Sequence, residues 1–323
     1  MGISLADQIG LAAAMTGLRR PSAVDSSPIL RAVVLLGGSV RPSNLSRSIG
    51  RSLLDLPVEP ELSVLQLWER EAERLAVAAG MTDLQVRIVL DRAAIEPTRN
   101  GAAEGIQVSL EREANEFRGT GGVLRDLAGE YGPDEMLLVA SAGQILVEGL
   151  APLANELFSL DCDVAMVGHG DGTPGGVFIV NTRVLAALRD IGFLDFKEQV
   201  LPRLASGGAK VRVVKRAFAT GFPVRTLDSY LAGLRAYHKI KSGHGVGGDP
   251  FAEDWSPTFA VVERGASVDA SATIHDSVVL SGGRVERGAV VVRSVVCPGG
   301  VVKAGEAIAG QIVASDRVMR KTR

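Results

Sequence analysis

Short, continuous apolar runs punctuate the first two thirds of the chain. Ala32-Val33-Val34-Leu35-Leu36 is followed by glycine, and similar runs recur at Val86 to Leu90, Met136 to Ala140, Val164 to Val167, Val177 to Val180 and Val211 to Val214. A run of this length with no polar alternation predicts a strand buried on both faces, as in a parallel sheet covered by helices. Between the runs, Leu65 to Ala79 and Thr182 to Ile191 carry apolar residues at helical spacing. Strands alternating with helices predict an α/β layered domain with a mainly parallel sheet.

The pattern changes after Lys239. Residues 239 to 257 include Gly243-His244-Gly245-Val246-Gly247-Gly248-Asp249-Pro250 and read as a linker. From Val262 onward aliphatic residues recur at about six-residue steps: Val262, Val268, Ile274, Leu280, Val285, Val291, Val302 and Ile308. Small and turn residues such as Arg264-Gly265-Ala266-Ser267 fill the gaps. This hexapeptide period predicts a parallel β-helix of about three coils, at about 18 residues per coil. The step from Leu280 to Val285 is one residue short, which predicts a bulge or loop there. An ordinary hairpin region is the alternative.

Composition narrows the function classes. The chain of 323 residues carries 35 basic and 37 acidic side chains and a net charge of -2, so a nucleic-acid footprint is not expected. Hydrophobic residues at 46% suffice for a sizeable core. The two cysteines, Cys162 and Cys297, lie far apart in sequence and outside any Cys-x-x-Cys spacing, which argues against a disulfide scaffold or thiolate zinc site and fits a reducing cytoplasm. No apolar run reaches the ~18 residues of a membrane-spanning helix. Residues 1 to 30 read as an extension with a short packing helix, and 317 to 323 as a solvated basic tail.

Candidate chemistry begins where the first strand ends, in Leu36-Gly37-Gly38-Ser39-Val40-Arg41. Glycines after a buried strand let backbone approach a nucleotide, and Arg41 can hold phosphate oxygens with its planar fork. Glycine at such a turn also has a purely steric reading.

Further segments give this loop context. Arg51-Ser52-Leu53-Leu54-Asp55-Leu56-Pro57, Gly119-Thr120-Gly121-Gly122, Gly176-Val177-Phe178-Ile179-Val180, the Phe193 to Pro202 segment around Lys197, and Thr226 to Leu231 follow in order. Together they resemble the sugar-nucleotide pyrophosphorylases, especially the mannose-1-phosphate guanylyltransferase branch. The resemblance runs over roughly residues 31 to 313, and implies a Rossmann-like nucleotidyltransferase domain at 31 to 238 followed by a left-handed β-helix at 258 to 316. By that likeness Gly37, Gly38, Ser39, Gly119, Thr120, Gly121, Gly122 and Gln144 would surround the nucleotide, and Arg41, Arg51 and Lys197 would be the catalytic cations facing phosphates.

The family joins a sugar 1-phosphate to a nucleoside triphosphate with Mg²⁺ held by two aspartates. Here Gly143-Gln144 and Pro223 stand at those two places, so both anionic ligands are replaced. Arg51 stands where a lysine is usual, and a fork is not a point charge. Asp161, Asp163 and Asp171 are possible replacement ligands, and His169 a possible base or phosphate donor; each is equally a surface loop residue.

Three functions follow as expectations. The first choice is a nucleotidyltransferase-like protein that binds a nucleoside triphosphate or nucleotide sugar, with weak or lost pyrophosphorylase activity and a regulatory or scaffolding role. An active sugar-1-phosphate nucleotidyltransferase using Mg²⁺ is the alternative, because losing carboxylates costs turnover more than ground-state phosphate affinity. An acyltransferase with His275 on the β-helix as base ranks third. Self-association through the β-helix is also expected.

Overall fold

The structure, a computed structural model, describes residues 29–37, 44–99, 104–115, 117–170, 172–189, 192–242 and 258–315. All of the expected N-terminal extension but its last two residues, which open the first strand, and Gly38, Ser39, Arg41, Asp171, most of the expected linker and the basic tail lie outside them.

A seven-stranded sheet organises the first part of the chain. Its strands are β1 (Ile29–Leu36), β2 (Leu84–Leu90), β3 (Ile106–Arg112), β4 (Glu135–Ser141), β5 (Val164–His169), β6 (Pro174–Asn181) and β7 (Val211–Arg216). Their spatial order is β7-β5-β6-β4-β1-β2-β3. β1 pairs in parallel with both β2 and β4, while β6 runs antiparallel between β4 and β5. Six strands therefore point one way and β6 the other.

Every apolar run named from the sequence forms a sheet strand. β3 was not anticipated, because Ile-Gln-Val-Ser-Leu-Glu-Arg alternates and sits half-exposed on the sheet edge. The second pattern of helical spacing ends early: its helix, Thr182–Ala186, is a single short turn.

Helices cover both sheet faces. The longer ones are α1 (Asn44–Ile49), α2 (Val64–Ala79), α3 (Gly119–Ala128), α4 (Leu150–Phe158) and, after the last sheet strand, α5 (Leu227–Lys241). α2 starts at a capping box in which the Ser63 hydroxyl accepts from the Gln66 N–H and the Gln66 carboxamide accepts from the Ser63 N–H; it stops at Gly80, in the left-handed region. Its stripe of Leu65, Trp68, Ala72, Leu75 and Ala76 is buried against Leu35, Val86 and Ile88. α3 and the 194–200 segment cover the opposite face, with Leu124, Leu194, Phe196 and Val200 in a second cluster. α5 continues through Lys241, into the expected linker.

The C-terminal part is a three-sided stack of parallel strands. Ser267 lies opposite Arg284, and Arg284 opposite Val301, so each coil takes 17 residues. The three sheets contain four, three and three strands. The sequence spacing needs one correction. Val279 and Val296, not Leu280, point into the β-helix core with Val285, Val291, Val302 and Ile308. The five-residue step is thus no local bulge, since it recurs in every coil. Left-handed corners repeat at the coil period: Gly265, Gly282 and Gly299 at one corner, and Asp276, Arg293 and Gly310 at another.

Leu280, with Val261, Val278, Val295 and Cys297, faces outward and joins the core cluster of the α/β part. One face of the β-helix is therefore apolar on both sides and docks within its own chain. Around it, Arg51 donates to Glu263 at 2.7 Å, Arg235 to Asp276 at 2.6 Å and Arg264 to Glu61 at 2.7 Å. His238 of α5 stacks on Phe259 with ring centroids 5.5 Å apart.

Candidate functional site

The sheet order turns in opposite directions on either side of β1 and β4. In open parallel sheets a ligand crevice forms outside the carboxyl ends of the strands at such a point, because the following loops diverge there. A cleft of about 380 Å³ lies at this place. Leu36 and Gly37 from the end of β1, Ser141 and Gly143 from the end of β4, and Asp91, Ala94 and Ile95 after β2 line it. Arg47, Arg51 and Arg225 also line it.

Local hydrogen bonds fix the floor. Gly37 N–H donates to the Val89 carbonyl at 2.8 Å, and Ala142 N–H to the Leu36 carbonyl at 3.0 Å. The Trp68 indole N–H reaches over from α2 to the Ala142 carbonyl at 2.9 Å. Gly37 leaves little room for a side chain: a Cβ there would lie 2.8 Å from a terminal methyl of Leu90, which would have to shift.

Gln144–Leu146 forms a two-stranded antiparallel ribbon with Gly221–Pro223. In its register Gln144 and Pro223 are direct Cα partners. The two positions that sequence likeness assigns to metal-binding carboxylates are therefore neighbours in space. Gln144 is 6% exposed and packs against Gly176 and Gly221; its Nε2 is buried without a hydrogen-bond partner. Pro223 has no donor atom to offer.

A hard cation such as Mg²⁺ takes charged oxygen ligands in near-octahedral geometry. One neutral carboxamide facing a proline does not fit it. Among the described residues no group of three or more His, Cys, Asp or Glu side chains is placed to hold a metal ion. Asp161 pairs with Lys210 at 2.6 Å, and Asp163 pairs with Arg183 at 2.9 Å and caps the Lys210 N–H. Both acids are accounted for by those contacts.

The other expected site residues separate. Gly37 and Arg51 line the cleft. Arg51, however, spends one guanidinium nitrogen on Glu263, whose other oxygen accepts from the Ser281 N–H. Arg51 thus ties the cleft wall to the β-helix instead of standing free for phosphate.

Gly119, Thr120, Gly121 and Gly122 open α3 and pack against the 193–200 segment. Gly121 N–H donates to the Leu194 carbonyl at 2.8 Å, and a Cβ at Gly121 would lie 2.7 Å from Val200. The Thr120 hydroxyl accepts from the Phe196 N–H at 3.0 Å. Close packing accounts for these glycines without a ligand.

Lys197 lies on the exposed side of the π-helical turn Phe196–Val200. Partial burial of its ammonium lowers its pKa; Asp195 opposes the shift and the nearby Arg225 charge reinforces it. Arg225 is the residue that sequence reasoning passed over. The Val224 N–H donates to the Gly143 carbonyl at 3.0 Å, which extends the ribbon and delivers Arg225 to the cleft. Thr226 then caps α5, its hydroxyl accepting from the Ser229 N–H. The only signal in sequence was a cation between the ribbon and a helix cap.

Two histidines are assigned structural surroundings. The His169 Nε2 accepts from the Thr220 N–H at 3.2 Å, and its Nδ1 lies 3.2 Å from the Thr173 hydroxyl. His275 is exposed on the β-helix, with Nδ1 3.5 Å from Asp276, a carboxylate already engaged by Arg235 and the Phe259 N–H. Among the described residues no helix is long and apolar enough to cross a membrane.

No family model matches the sequence, and no curated protein matches it either. Solved structures with a similar course include HddC from Yersinia pseudotuberculosis, at 15% identity over 64% of this chain and 100% of that one, with a TM-score of 0.47. A homologue of Mycobacterium tuberculosis rv0371c from Mycobacterium sp. strain JC1 is similar at 20% identity over 65% of this chain and 100% of its own, TM-score 0.45. A candidate glucose-1-phosphate thymidylyltransferase from Bacillus anthracis, in complex with a sucrose, is similar at 10% identity over 68% and 98%, TM-score 0.47. Likenesses at this level assign no activity.

Proposed function

We propose that the chain is a nucleotidyltransferase-like protein that binds a nucleoside triphosphate or nucleotide sugar in the cleft at the ends of β1 and β4, with pyrophosphorylase activity weak or lost. One observation carries the reading: a cleft of ligand size opens at the turning point of the sheet order, with the Arg225 guanidinium in its lining beside Arg47. Guanidinium groups pair with phosphate in a bidentate way and remain charged at every physiological pH. Backbone at Gly37 and Gly143 allows close approach of a flat or anionic group.

The donor set explains why binding outlasts turnover. Attack of an anionic sugar phosphate on an α-phosphate needs charge neutralisation at the reacting centre, which Mg²⁺ and its carboxylates ordinarily supply. Gln144 and Pro223 do not supply those carboxylates. The partners implied are a nucleotide with a sugar phosphate, or their joined product.

Self-association through the β-helix belongs to the same proposal. One of its three faces is occupied within the chain, which leaves the two faces bearing Val301 and Val290 for a second copy. Sedimentation that shows only monomer over a wide concentration range would remove that part.

The deciding experiment incubates the purified chain with each nucleoside triphosphate, common hexose 1-phosphates and Mg²⁺, following pyrophosphate release and ligand-induced thermal shifts together. Shifts without turnover are expected. Robust turnover would establish an active transferase in its place, and acyl-CoA-dependent product would move the chemistry to the β-helix.

A further inference from the structure

The cleft contains a fixed cation where the resembling family employs a mobile one. Arg225 follows directly on the ribbon that pairs Pro223 with Gln144, and both Arg225 and Gly143 line the cleft. Its backbone is held from two sides: Val224 bonds to Gly143, and Thr226 caps α5. Its guanidinium is exposed, and no carboxylate among the described residues pairs with it.

The surroundings favour an incoming anion and oppose a second metal cation. Lys197 lies within electrostatic range of Arg225, and Arg47 lines the same cleft. Asp91 is the one carboxylate among the lining residues, and its Oδ1 already accepts from the Ala93 N–H. Behind Gly143, the buried Gln144 is a neutral carboxamide and brings no charged oxygen toward the cleft. A divalent ion entering this cleft would meet the like charges of the arginines and a single carboxylate, Asp91, too few anionic oxygens to replace the water it must shed.

We infer that the cleft recognises the phosphates of its ligand without a divalent metal, the Arg225 guanidinium acting in place of the metal's charge. This inference rests on the proposed reading of the cleft as a phosphate-ligand site. It departs from the resembling family at one definable point: the ligand taken up is the free polyphosphate anion, not its magnesium complex. A guanidinium neutralises less charge than a divalent ion and is carried on a side chain, so it holds phosphate in the ground state more readily than it stabilises a transferring phosphoryl group.

The test is calorimetric titration of the full chain with ATP, GTP, CTP, UTP and UDP-glucose, each in excess EDTA and again in excess Mg²⁺. The expected result is binding of at least one probe in EDTA that is as tight as in Mg²⁺ or tighter. Arg225→Gln is expected to weaken that binding on the order of tenfold to a hundredfold, the usual effect of losing a charge-assisted contact, while the ligand-free melting temperature stays unchanged. Arg225→Lys is expected to retain part of the affinity.

Binding that disappears in EDTA and returns with Mg²⁺ overturns the inference and leaves the proposed function standing. Unchanged affinity in Arg225→Gln overturns the role given to Arg225. No binding of any probe in either condition overturns both the inference and the reading of the cleft beneath it.

Discussion

Gly121, His238 and Trp68 show how single residues hold this molecule together. Gly121 has a tight steric limit, with Val200 Cγ2 at 2.7 Å and the Leu194 carbonyl oxygen at 3.0 Å from an added Cβ. Gly121→Ala is expected to cost about 1–3 kcal/mol by overpacking. Gly129→Ala, where the nearest atom lies at 3.6 Å and φ is ordinary, should be neutral or stabilising by up to about 1 kcal/mol. Urea denaturation of the two variants beside the parent chain checks the contrast. For Trp68→Phe, the Ala142 carbonyl at the cleft floor loses its indole donor, for an expected loss of about 1–3 kcal/mol in the same measurement.

His238 gives the seam a pH dependence. Burial lowers its pKa below the ordinary 6.5, against the opposing Val58 carbonyl and Glu59 charge. Between 6.5 and the lower folded value, the unfolded chain binds more protons than the folded one, so stability falls as pH falls through that window and levels off below it. His238→Phe should flatten this slope in melting curves recorded across the window. An unaltered slope would assign the dependence to other groups.

At the scale of elements, the β-helix illustrates both the reach of sequence pattern and its limit. Aliphatic spacing announced a coiled parallel stack, and glycine positions announced its corners. Spacing alone, however, could not distinguish an inward Val279 from an outward Leu280, because adjacent apolar residues serve both phases of the period. Only the partner surface decides that Leu280 is buried, since the α/β part covers it. Leu280→Ala is therefore expected to cost about 2–5 kcal/mol. Val301→Ser, at a residue 43% exposed, should stay within about 0.5 kcal/mol. Thermal melts of both variants test the assignment: equal small effects would contradict the docked face.

The same reasoning explains β3. Strands buried on both faces declare themselves as continuous apolar runs, whereas the edge strand alternates aliphatic residues with Gln, Ser and Glu, a period of two that a search for continuous runs passes over. Likewise the Gly119–Gly122 turn carries the composition of a phosphate loop for a packing reason that appears only once Leu194 and Val200 are set against it.

For the whole molecule, the core cluster runs unbroken from Leu35 and Trp68 through Tyr230 to Val278 and Cys297. Burial of Cys297 in that seam pushes its thiol up to about 12, so it serves as a packing group. A core shared in this way predicts one cooperative unfolding transition. Far-ultraviolet and near-ultraviolet circular dichroism should melt together, and two separated transitions would show that the parts fold independently.

What the sequence determined by itself is the alternation of buried strands with helices, the coil of short aliphatic steps, and the uncharged side chains at Gln144 and Pro223. These are local properties: burial on two faces, a repeated knob, the identity of a side chain. Tertiary structure alone decided that Gln144 and Pro223 face each other, that Arg51 is drawn to Glu263, and that Arg225 lines the cleft between Gly143 and a helix cap. Those relations join residues 79 to 212 positions apart, and they arise because sheet register and the docking of one apolar β-helix face fix distances that no local pattern encodes.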